Sequence, residues 1–99
     1  MRLPARQLTV IRDLARKHFG ESAIVYLFGS RVDDARRGGD IDLFIDVPGI
    51  VRDRSAQVAR YAAQLQRSLG EQRIDIIVRD GSTHPLPIHE MARRTGVRL

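Results

Sequence analysis

Asp40-Ile41-Asp42-Leu43-Phe44-Ile45-Asp46-Val47 is the stretch on which the fold turns. It alternates cleanly: Ile41, Leu43, Ile45 and Val47 fall on one face of an extended chain, and Asp40, Asp42, Phe44 and Asp46 on the other. Period-two patterning of this kind predicts a strand with one face in the core, and Pro48-Gly49 ends it. The second face is unusual. Asp40 and Asp42 leave it on the same side, roughly 6.6–6.8 Å apart along the chain, in a setting that disfavours Asp.

Upstream, the apolar, β-branched-rich run Ala23–Phe28 reads as a buried strand that stops at Gly29-Ser30. Residues 31–39 form a polar loop. Earlier still, Leu8, Ile11, Leu14 or Ala15, and Phe19 recur at helical spacing between Pro4, suited to a first helical turn, and Gly20, a stop. An amphipathic helix is expected over about 4–19. Downstream, Val58, Ala62, Leu65 and Leu69 predict a second helix over about 53–69, with Asp53 or Ser55 as its cap and Gly70 as its end.

Arg73–Arg79 reads as a third strand, with Ile74, Ile76 and Val78 on one face and Asp75 and Ile77 on the other. Asp80-Gly81-Ser82 turns the chain, and a last helix follows over 88–94. The order α-β-β-α-β-α over residues 1–99 predicts one α+β domain of two layers: a small mixed sheet with its helices packed on one face.

The bulk numbers bound the function. With 42% apolar and 29% charged residues, the chain has an ordinary globular composition. At 99 residues its core is thin, so a catalytic module of this size gains from a partner that completes its site. The absence of cysteine excludes disulfides and thiolate metal sites. The start Met1-Arg2-Leu3-Pro4 carries no leader-like apolar segment, and the longest apolar run is far short of a membrane span; a cytoplasmic, membrane-free protein is expected. The formal charge of +5 comes almost wholly from arginine, Lys17 being the lone lysine. Guanidinium groups bind phosphate bidentately, so a phosphate-bearing partner is favoured.

The carboxylates give the chemistry. Two repelling charges on one strand face make sense with a divalent cation between them, for which carboxylate oxygens are natural ligands. Asp75, framed by Ile74, Ile76 and Ile77, repeats the anomaly. If its strand lies beside the second, Asp40, Asp42 and Asp75 converge, and three carboxylates suit one or two metal ions in nucleotide chemistry. Gly29-Ser30 adds a backbone approach and a hydroxyl for phosphate oxygens, and Arg31, directly after Ser30, is a candidate for screening the charge of a bound phosphate group. Asp46, on the same face and four residues beyond Asp42, reads as a strand-end residue. His18, His84 and His89 share no metal-ligand spacing and are expected at the surface; Tyr26 and Tyr61 are expected to pack.

Taken together, Phe28-Gly29-Ser30-Arg31 and, after a loop, Gly39-Asp40-Ile41-Asp42-Leu43 resemble the signature of the polymerase-β-like nucleotidyltransferase superfamily, a Gly-Ser followed by an Asp-x-Asp, with Asp75 matching the third carboxylate on the next strand. The short length is similar to that of the minimal nucleotidyltransferases. Departures lie before the carboxylates, where Asp33-Asp34 and Gly38-Gly39 replace more usual loop residues.

The resemblance implies a polymerase-β-like fold, two Mg²⁺ ions and an NTP donor, usually ATP. Asp40 and Asp42 would bind both metals, Asp75 would bind the catalytic one and help activate the acceptor hydroxyl, and Gly29 and Ser30 would hold the triphosphate. It further implies transfer of AMP to a tyrosine of a HEPN-type toxin encoded nearby, the chain acting as antitoxin. A contact antitoxin without catalysis, and a catalytic subunit acting on a small-molecule hydroxyl or an RNA end, are the alternatives. Oligomeric state stays open.

Overall fold

The structure is a computed structural model that describes residues 4–28, 41–70, 73–82 and 86–99. Its described elements are helices α1 (Ala5–Phe19), α2 (Arg54–Leu69) and α3 (Pro87–Thr95), and strands β1 (Ile24–Phe28), β2 (Ile41–Asp46), β3 (Ile74–Arg79) and β4 (Val97–Arg98). The strands form a mixed sheet of order β3-β2-β1-β4. β2 runs antiparallel to β1 and parallel to β3, and β4 closes the other edge antiparallel to β1. Parallel pairing of β2 with β3 requires a crossover, and α2 supplies it.

One face of the sheet carries the main core. Val25 and Leu27 of β1 and Ile41, Leu43 and Ile45 of β2 are almost wholly buried there against Ile11, Ala15 and Phe19 of α1 and Tyr61, Leu65 and Leu69 of α2. Ile74, Ile76 and Val78 of β3 pack on the same core. The alternation expected of β2 and β3 therefore holds. In α2, Tyr61 is fully buried in place of the expected Ala62, one position on, and its hydroxyl donates to the Ile11 carbonyl of α1 at 2.9 Å. Burial alone raises the Tyr61 pKa well above the ordinary phenol value, so the group stays a neutral donor.

The expected single-sided helical layer is corrected by α3, which packs on the opposite face, against β1 and β2. The physical reason is Phe44. It stands on the polar side of β2 yet is fully buried, between Tyr26 of β1 (ring centroids 5.8 Å) and His89 of α3 (5.4 Å). A large ring on that face needs a cover, and α3 supplies it through His89 and Ala92, both buried. The chain then turns back at Gly96 to add β4, a strand too short for periodicity to reveal. A Cβ at Gly96 would run into the Ala92 carbonyl and lie 3.1 Å from that of Leu27. Only glycine lets α3 come this close to β1.

Asp80 ties the crossover down. It is 1% exposed and accepts from Val51 N (2.8 Å), Arg54 Nη1 (3.1 Å), Ser82 N (3.0 Å) and Ser82 Oγ (2.6 Å). The bonds to Ser82 N and Oγ, two residues on, make an Asx-type turn; those from Val51 and Arg54 fasten the segment leading into α2. The expected cap Asp53 instead sits in the left-handed region (φ 51) and makes no side-chain cap bond.

Candidate active site

The three rows of side chains on the α3 face follow from strand register. At one end, Phe28 of β1 pairs with Asp42 of β2, and Asp42 with Asp75 of β3. In the middle, Tyr26, Phe44 and Ile77 line up; at the other end, Ile24, Asp46 and Arg79. Asp42 and Asp75 are thus direct neighbours on adjacent parallel strands, with backbones about 4.8 Å apart and side chains on one face. Of the sequence-derived site residues, these two are brought together. Asp40, Gly29, Ser30 and Arg31 lie outside the described residues. In sequence Asp40 adjoins Ile41, whose N–H donates to the Arg73 carbonyl at 3.0 Å, so β2 and β3 are already in register at the next residue.

Asp42 is half-buried on the inner strand, whereas Asp75 lies on the edge strand with its side chain 49% exposed and Arg73 Nε 3.7 Å away. An ion pair this long and this exposed holds Asp75 weakly. The two carboxylates therefore differ: one is set within the sheet, and the other is open to an incoming group. Among the described residues no three His, Asp or Glu side chains converge as a metal cluster; the described part of the acidic constellation is this pair. All of its donors are oxygens, a set that fits Mg²⁺.

Asp46 shares the face but not the site. Four residues from Asp42, roughly 13 Å along the strand, it accepts from Arg79 Nη1 at 3.1 Å and Arg93 Nε at 3.2 Å. Arg93 also lies over the Phe44 ring, 5.9 Å from its centroid, and donates to Glu90 at 3.4 Å. This ion pairing pins α3 to β2 and β3.

His89, expected at the surface, is 3% exposed and stacks on Phe44 at an interplanar angle of 15°. Its Nδ1 accepts from Leu86 N at 3.2 Å while its own N–H donates to the Leu86 carbonyl at 2.9 Å, so it caps α3. Burial lowers its pKa, the Arg79 and Arg93 guanidiniums lower it further, and Asp46 opposes them in part. His18 is half-buried, with its ring nitrogens on Gln57 and Gln64 of α2; His84 lies outside the described residues.

Sequence reasoning missed Asp80 and His89 as fixed points of this framework. The signals were present: Asp-x-Ser at a strand end is an Asx-turn pattern, and His89 stands three residues into a helix opened by Leu86-Pro87. Compared with known proteins, the chain matches no family model and no curated protein. Among the described residues no helix is long and apolar enough to cross a membrane.

Proposed function

We propose that the chain is a Mg²⁺-dependent nucleotidyltransferase of polymerase-β-like fold, moving a nucleoside monophosphate, AMP from ATP, onto a hydroxyl. The observation that carries this reading is the register pairing of Asp42 with Asp75 on one face of two parallel strands. Two carboxylates side by side repel, a repulsion that a shared divalent cation relieves, and their side chains leave the sheet on the face away from the main core. Asp40, Asp42 and Asp75 would hold the metal ions, which when bound supply Lewis-acid polarisation of the α-phosphate.

The chain's own groups divide the remaining work. Gly29, Ser30 and Arg31 are assigned to the triphosphate. Asp75, on the open edge, receives the acceptor's proton at a carboxylate oxygen as the acceptor oxygen bonds to the α-phosphorus. The bond from that phosphorus to the bridging oxygen breaks, and pyrophosphate leaves with the electron pair.

A protein acceptor is favoured by the same sheet face. Helix α3, which covers part of it, leaves Leu86, Ile88 and Met91 between 40% and 53% exposed, apolar surface suited to holding a folded partner. The partner implied by the family resemblance is a HEPN-type toxin with an acceptor tyrosine. Incubation with α-labelled ATP, Mg²⁺ and the product of the neighbouring reading frame tests this. Label should appear on the partner and fall by about 10³-fold or more in Asp42→Ala and Asp75→Ala. Undiminished label in both variants would refute the assignment, and full neutralisation of the partner by Asp40→Ala would favour the contact antitoxin.

A further inference from the structure

On the side of the molecule opposite the carboxylates, α1 and α2 meet in a shallow groove of about 340 Å³ lined by His18, Arg60, Ala63, Gln64 and Arg67. Arg60 and Arg67 are exposed and lie two turns apart on α2, about 10.5 Å along its axis. Helix α2 contains no Asp or Glu, and α1 contains only Asp13, which lies 3.7 Å from Arg12. Among the described residues neither Arg60 nor Arg67 has an acidic partner. Gln64 stands between them, held by His18, and Ala63 leaves the floor low.

We infer that this groove binds the phosphate backbone of RNA, independently of the chemistry at the carboxylates. Two guanidiniums on one stripe can each take a phosphate of one strand bidentately. The amide N–H groups of Gln64 between them, its oxygen being held by His18, offer neutral donors to a sugar hydroxyl or base edge. The lining residues include no large apolar side chain, which a protein interface would need as an anchor. Asp42 and Asp75 lie across the sheet, so loss of RNA binding and loss of nucleotidyl transfer are separable.

The test is fluorescence anisotropy of a labelled 20-nucleotide single-stranded RNA with the full chain over a KCl series. Affinity should fall log-linearly with salt, by about 0.7 in slope for each phosphate engaged. Arg60→Glu with Arg67→Glu should weaken binding at least ~10-fold and reduce the slope by about 1.4. Arg98→Glu, on the α3 side, should change affinity less than ~2-fold. Arg60→Ala with Arg67→Ala, checked for an unchanged melting transition, guards against misfolding of the charge reversal. Equal losses in the groove and Arg98 variants would reduce the effect to net charge and overturn the site. So would absent binding, or competition by polyglutamate as strong as by unlabelled RNA, which would point to an acidic protein.

Discussion

The two faces of the sheet are built on different principles. The α1–α2 face is held by apolar volume: Ile11, Leu43, Ile45 and Leu65 are all fully buried, with the Tyr61 hydroxyl bonded to Ile11 as a polar exception. The α3 face is held by specific chemistry: a stacked Tyr26–Phe44–His89 column, two arginines on Asp46 and a histidine cap. The first can absorb any well-shaped apolar substitution, whereas the second depends on protonation and charge. Asp42 and Asp75 stand at one end of the α3 face, in the row beyond the Tyr26–Phe44–Ile77 row.

Truncation separates the faces most strongly. Phe44→Ala should cost about 4 kcal/mol, and Leu65→Ala about 3 kcal/mol, measured by urea unfolding. The Leu65 loss should be the same at pH 5.5 and 7.5. The Phe44 loss should differ between them, because His89 stacks on that ring; equal pH behaviour would break the comparison. Gly96→Ala should cost about 2 kcal/mol by forcing α3 away from β1, and amide exchange should show the loss concentrated in α3 and β4.

His89 sharpens the contrast with the smallest effect at neutral pH. Its folded pKa is lowered, so the folded state holds the neutral ring while the unfolded chain takes a proton near the ordinary 6.5. The resulting stability is complete above about pH 6.5 and is lost as pH falls from there toward and through the folded value. Asn at this position keeps an acceptor where Nδ1 stood but does not titrate. His89→Asn should cost about 1 kcal/mol of stacking at pH 7.5 and flatten the fall in melting temperature between pH 6.5 and 5. An unchanged slope in the variant would remove His89 from the device.

Much of this contrast was legible in the alternation of residues 40–47. Period two separated Ile41, Leu43 and Ile45 from Asp42, Phe44 and Asp46, and the structure keeps that division. Phe44 was the clue that the polar face had a cover, but a single ring does not say which element provides it. Helix α3 was legible, its side of the sheet was not, because that depends on the tertiary contacts of His89, Ala92 and Arg93 with β2. The strand β4 was hidden by its length of two residues. Asp80 looked like an ordinary turn residue because its partners Val51 and Arg54 come from a distant segment. For the site, like charges on one face of two strands were visible in the sequence; the α2 crossover makes those strands parallel, and the register that sets Asp42 beside Asp75 is read only from the structure.

The central claim is that Asp42 and Asp75 form a cation and nucleotide site and are not framework residues. The most direct measurement is the melting temperature of the wild type and of Asp42→Asn with Asp75→Asn, each with and without Mg²⁺ plus a non-hydrolysable ATP analogue. Ligand that binds only the folded state raises stability by about 2.7 kcal/mol at a concentration 100-fold above Kd. The wild type should therefore gain several degrees and the double variant none. An equal gain in both proteins, or none in either, would contradict the account.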